Sequence, residues 1–271
     1  MEYGRTALRG NVRRGLLGRG PARNLALTVI AAAVVAGCDS VVGIPGDGPR
    51  TVAAPTVSRM PEPAPGTAAV GRWAADLREH GIDGMADRCW TMAPHHVRTM
   101  YAEPAPIFEA IVAPGAREGG MVVWRTAAVT VAARDRDIAT GYACPYVFGS
   151  GEEIAFDAAE ARHTVRRYLS RAVGSPLNAA DTETAYPLLC PADSGWDPKT
   201  TGKPGIPPMA SGARTPVGIK GFVDEDIKSE WPRNGYITVS VPVTTRTGVR
   251  TKQTFTLKSG VDGYCIGDVS G

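Results

Sequence analysis

The chain has 271 residues, 43% of them hydrophobic and 21% charged, with a formal net charge of +3. That excess is local, because residues 1–37 carry Arg5, Arg9, Arg13, Arg14, Arg19 and Arg23 against Glu2 alone. Without them Lys plus Arg falls from 30 to 24 and Asp plus Glu from 27 to 26, a net −2, so no basic face argues for nucleic acid and no motif of that class is present.

Behind the arginines runs an uncharged apolar stretch from Leu25 to Ala36, 12 residues long. As a helix it covers ~18 Å of a hydrocarbon core about 30 Å thick, too short to span. Basic residues, a short apolar run and small residues at its end form the signal-peptide pattern. Arg13-Arg14 could begin a twin-arginine export signal, but the apolar run starts late for one, and a plain basic leader is preferred.

The run closes on Val35-Ala36-Gly37-Cys38, which resembles the lipobox of bacterial lipoproteins. That resemblance implies cleavage between Gly37 and Cys38, a diacylglycerol on the Cys38 thiol, and a location on the extracytoplasmic face of the cell membrane. Two acyl chains, at roughly 0.8 kcal/mol per buried CH₂, hold a protein durably without a spanning helix. The membrane is then a partner through the anchor. Residues 38–66 follow as a linker with Pro45, Pro49, Pro55, Pro61, Pro63 and Pro65 and no apolar period. Extended at ~3.1 Å per residue, it is a spacer of at most roughly 85 Å.

Cys89, Cys144, Cys190 and Cys265 remain, an even number in an exported chain, which points to two disulfides with the connectivity open. None of them forms a C-x-x-C pair, so no zinc or thioredoxin-like site is indicated.

The order of signals in the rest divides it into halves, 67–150 and 151–271. In the first, Val70, Trp73, Ala74 and Leu77 predict a helix over 68–80, capped by Thr67 and ended by Gly81. Met85, Cys89 and Met92 predict a second helix from Asp83. Pro94 and Pro106 frame short helical pieces. Two strands are expected over 121–133 and 138–148, turning at Asp135-Arg136-Asp137.

The second half repeats the order. Asp157 and Glu160 have capping-box spacing ahead of a helix with Ala161, Val165, Tyr168, Leu169 and Ala172 on one stripe. A shorter helix is expected after Asp181, through Tyr186, Leu189 and Cys190. A long mobile loop spans 191–216. Strands follow over 216–230, 236–246, 249–258 and 264–269, with Asn234-Gly235 as the strongest turn signal. Matching the halves element by element pairs Cys89 with Cys144 and Cys190 with Cys265, each joining a second helix to a last strand. Cys265 then faces away from Tyr264 and Ile266, so either the sheet is covered on both sides or the pairing fails.

The fold class is therefore α+β, with helices packed on curved antiparallel sheets. The element order resembles the nuclear transport factor two-like, or cystatin-like cone, superfamily, as two repeats; the alternative is one α+β domain with a six-stranded sheet. The resemblance implies a cavity for a hydrophobic ligand, or in the enzymes of that superfamily an Asp, Glu or His doing proton transfer. No such group stands out. Asp76 and Glu79 lie on the solvated side of their helix, and Asp224-Glu225-Asp226 is an exposed acidic turn with no calcium-loop spacing. His95 and His96 diverge on a surface, His163 sits among arginines on a helix flank, and His80 suits a helix end. No catalytic residue, cofactor or metal ligand is assigned. The expectation is a non-catalytic lipoprotein binding a hydrophobic ligand or an envelope protein. The alternatives are an assembly component of a secretion or conjugation machine, and a cone-fold isomerase or cyclase.

Overall fold

The structure is a computed structural model and describes residues 66–216, 218–230 and 233–271. The leader, Cys38 and the proline-rich linker lie outside the described residues. The described chain is α+β, with two antiparallel sheets of four and five strands rather than one six-stranded sheet.

Helix α1, Thr67–His80, buries Val70, Trp73, Ala74 and Leu77 on its expected stripe. Gly66, not Thr67, takes the N-cap position, and the Gly81 N–H closes the far end on Leu77 O. The helix expected from Asp83 shrinks to a 3-10 turn at Asp83–Met85. Gly81 and Gly84 propagate a helix poorly, and the stretch is too short to offset nucleation. Met85, Cys89 and Met92 are nevertheless all buried, as their shared spacing required. Prolines open both α2 (Pro94–Met100) and α3 (Pro104–Ile111).

The first sheet is a meander of β1 (Ala116–Glu118), β2 (Met121–Arg125), β3 (Val129–Arg134) and β4 (Tyr146–Gly149). Its hairpin turn between β2 and β3 falls at residues 126–128, not at Asp135-Arg136-Asp137. There the Thr126 hydroxyl accepts from the backbone N–H groups of Ala128 and Val129. Asp135-Arg136-Asp137 instead opens α4, Asp135–Ala139, where its two carboxylates suit a helix start.

In the second half, the Asp157 side chain caps α5 (Ala158–Ala172) by accepting from Ala159 N and Glu160 N. The sheet below it runs β5 (Ile219–Phe222), β7 (Tyr236–Thr245), β8 (Arg250–Gly260) and β9 (Gly263–Ser270), with β6 (Lys228–Ser229) also paired to β7. Ile237 faces Leu257 and Val239 faces Phe255, and these inward residues meet Ala161, Val165 and Leu169 of α5 in the core. Asn234 and Gly235 both have positive φ, 51° and 77°, which the tight turn before β7 requires.

The helix expected after Asp181 does not form. Pro187 and Pro191 deny it backbone donors, and Leu188–Cys190 runs extended beside β9 instead. Cys190 N donates to Ile266 O at 2.9 Å and Ile266 N to Leu188 O at 2.8 Å. Buried Asp181 accepts from Arg167 Nε at 3.2 Å and Nη2 at 2.6 Å, holding this segment to α5. The 191–216 segment is docked: Trp196 is 7% exposed, its ring 5.1 Å from Tyr236, and Met209 N donates to Gly267 O. The sheet is thus covered on both faces at β9, which accommodates the outward Cys265. The disulfides are Cys89–Cys144 and Cys190–Cys265, and in each the first partner lies in a turn or extended segment rather than a helix. One hydrophobic core runs through both sheets.

Candidate functional site

The α5 N-terminus places its third residue, Glu160, between the halves rather than toward solvent. At 3% exposure, its Oε1 accepts from Ala93 N (2.7 Å) and lies 3.0 Å from His96 Nδ1. Its Oε2 accepts from the Tyr146 hydroxyl at 2.9 Å, with Arg134 Nη2 at 3.5 Å. His96 Nε2 is 3.1 Å from Asp157 Oδ2, so the imidazole bridges two carboxylates. The Arg134 guanidinium stacks over Tyr146 and Phe156, 4.6 and 5.2 Å from their ring centres.

Burial alone would lower the His96 pKa, but hydrogen bonds to Asp157 and Glu160 outweigh it and raise it to about 9. Burial would raise Glu160, yet His96 and Arg134 hold it down at about 2. The His96 hydrogen bond brings Asp157 to about 2. All three groups are therefore charged at neutral pH. Carboxylates that acidic and an imidazolium that weak make poor proton carriers, so the cluster acts as an ionic tie.

The sequence puts His96 on a surface and His163 among arginines on a helix flank; the structure buries both, at 7% and 4% exposure. No ionisable group stands out as buried in the sequence, whereas Arg134, Asp137, Glu160, Arg167 and Asp181 all are. The capping-box spacing of Asp157 and Glu160 is the visible signal: Asp157 does cap α5, but Glu160 turns inward instead of back to the cap. Burial raises the Asp137 pKa against the pull of Arg134 and Arg136, and neither carboxylate oxygen finds a hydrogen-bond partner among the described residues. Asp137 lines neither of the recesses below.

Several recesses open to solvent among the described residues, and two of them bear on function. A groove of about 480 Å³ lies between Leu189 and the β8–β9 turn, with Pro187, Pro191 and Val261 as apolar walls and Arg136 and Lys258 as basic ones. Val261 is 68% exposed at the turn, and Cys265 lies in the groove. A cleft of about 190 Å³ runs along α5 past Arg162, His163 and Arg166.

The acidic turn Asp224–Asp226 is exposed, and Asp224 pairs with Arg166 at 2.9 Å. Among the described residues, only Asp76, Glu79 and His80 gather metal-ligating atoms, and Asp76 Oδ2 already accepts from Arg88 and Tyr142, each at 2.9 Å. No described helix is long and apolar enough to cross a membrane. No family model matches the chain, and neither a curated protein nor a solved structure matches it.

Proposed function

We propose that this chain is a non-catalytic lipoprotein, fastened through Cys38 to the extracytoplasmic face of the cell membrane, that docks an envelope protein in the groove beside Val261. The groove carries the reading. Its walls are Pro187, Leu189, Pro191 and Val261, and an exposed valine beside two prolines offers apolar contact at little conformational cost. Arg136 is paired with Asp262 in the same wall at 3.6 Å and Lys258 Nζ donates to the Ser194 and Gly195 carbonyls, so apolar contact rather than charge selects the partner segment. A carrier of a hydrophobic ligand would instead need an enclosed apolar cavity, and the space between sheet and helix is taken up by Phe255, Leu257, Leu169 and Val165, all fully buried. An enzyme would need a group poised to move a proton, and the ionised His96–Glu160–Asp157 tie is not one. The body is read as two cone-like units, since each half sets helical structure before an antiparallel sheet, three helices in the first and α5 alone in the second, and closes with its own disulfide.

The test is native mass spectrometry of the protein extracted from the membrane of its own host, beside Val261→Asp and Cys38→Ala. A stoichiometric protein partner lost in Val261→Asp supports docking. A co-purified lipid retained in that variant would replace docking by carriage. Cys38→Ala should carry no fatty acid and keep its uncleaved leader; a diacylglycerol still present in that variant would remove the anchor.

A further inference from the structure

Ala159, Arg162, His163 and Arg166 fall three and four apart on one face of α5 and wall the 190 Å³ cleft. Ala93, Pro94 and His95 form a second wall, with Asp224 and Ile227 as the third. Two buried polar atoms on this α5 face find no hydrogen-bond partner among the described residues, His163 Nδ1 and Arg166 Nε. They differ in kind. His163 Nε2 lies 2.8 Å from Trp90 O, and a carbonyl only accepts, so the ring hydrogen belongs on Nε2 and Nδ1 presents a lone pair. The ring is neutral, because burial, against the Glu160 charge, lowers its pKa to about 4. Arg166 Nε–H is a donor and nothing else. A buried donor and a buried acceptor are both costly to leave unmet.

The surroundings say which ligand meets both. Arg166 Nη2 is held by Asp224 at 2.9 Å, and Arg162 gives one nitrogen to Ser229 Oγ at 2.8 Å and keeps the rest of its guanidinium. Two guanidiniums one turn apart call for an oxyanion. The His163 lone pair calls for an anion that still carries a hydrogen. We propose that this cleft binds a hydrogen phosphate group, free or as a monoester. The monoester takes up a proton from solvent on binding, because its second pKa is about 6. Its charged oxygens accept from Arg166 Nε and Arg162, and its P–O–H donates to His163 Nδ1. Sulfate matches it in shape but carries no hydrogen at neutral pH, and would set an oxygen lone pair against that of Nδ1. Asp224 competes with the ligand for Arg166.

Calorimetric titration of the purified folded protein with inorganic phosphate and with sulfate, at constant ionic strength and pH 7, tests this. Phosphate should bind about tenfold or more tighter than sulfate, since a buried polar atom rejects a ligand that cannot satisfy it. Asp224→Asn should tighten phosphate binding severalfold, a gain that damage to the fold cannot imitate. His163→Phe, checked by circular dichroism, should erase the preference for phosphate. If His163→Phe does not fold, Asp224→Asn decides. Glycerol phosphate competing as well as phosphate assigns a monoester, and inorganic phosphate alone a free ion. Equal affinity for phosphate and sulfate, no binding of phosphate, or unchanged or weaker binding in Asp224→Asn overturns the proposal.

Discussion

Glu160 stands three residues into a helix, where a glutamate ordinarily turns back to the backbone at the cap, and it is closed in by groups from three other segments, the start of α2, β3 and β4. Removing its charge leaves His96 and Arg134 as buried cations with one counter-ion fewer. Glu160→Gln should therefore cost about 3–5 kcal/mol, read from urea unfolding. The pH dependence follows from the same tie. His96 rises from 6.5 to about 9 on folding, so its contribution is complete below pH 6.5 and is lost as pH climbs through 9. Glu160 and Asp157 fall to about 2, so theirs is complete above the ordinary carboxylate range and is lost as pH falls toward 2. His163, lowered to about 4, loses stability in the same acid direction between 6.5 and 4, while Asp137, raised by burial, works against it. Stability should thus decline from pH 6.5 to 9 in the native chain, and His96→Gln should flatten that limb. An unchanged alkaline limb would mean that His96 titrates elsewhere. The spacing of Asp157 and Glu160 was legible in the sequence. Their destination was not, because Ala93, His96, Arg134 and Tyr146 lie 14 to 67 residues away, and no local pattern encodes a contact at that range.

At the scale of elements, what was legible was what repeats. The alternation through Ile237, Val239, Val241 and Val243 gave β7, and the stripe Ala161, Val165, Leu169 gave α5, because one buried face imposes a period on a strand or helix. Segments whose period is too short to sustain an element, or absent, were misread. Residues 182–190 carry apolar residues at helical spacing, but they make a single turn at 183–185 and, past Pro187, Leu188–Cys190 lies extended along the β9 edge. The 191–216 segment has no period at all and is fixed by single contacts. Gly267 is one of these: any side chain there would overlap the Trp196 ring. Gly267→Val should undock the segment at a cost of about 1–3 kcal/mol for the forced overlap. Tryptophan emission should shift to the red and proteolysis should concentrate within 197–216. In the double variant with Trp196→Ala the two costs should sum to less than their separate values, because removing the ring removes the overlap. Strict additivity would mean that the two residues do not meet.

For the whole molecule, two sheets share one core and two crosslinks, and the crosslinks differ in how solvent reaches them. Cys89 is 0% exposed and Cys144 4%, enclosed beside Met85 and Met92 in the core. Cys190 is equally covered at 2%, but Cys265 is partly exposed in the groove. Disulfide exchange begins with a thiolate reaching one sulfur, so access ranks the bridges. Under mild thiol reductant without denaturant, Cys190–Cys265 should open first and Cys89–Cys144 should persist until the fold opens. Each bridge closes a chain segment, 55 residues for Cys89–Cys144 and 75 for Cys190–Cys265. By loop closure each contributes about 4 kcal/mol, a large share of a small domain's net stability. Opening the second bridge also frees the Leu188–Cys190 strip that forms one wall of the groove, so the docking proposed there should be lost together with that bridge while Cys89–Cys144 stays closed. Pulsed alkylation with peptide mapping reads the order: label on Cys190 and Cys265 alone at early times supports it. Label appearing on all four cysteines at one rate would mean that the core opens as a single unit before either sulfur is reached.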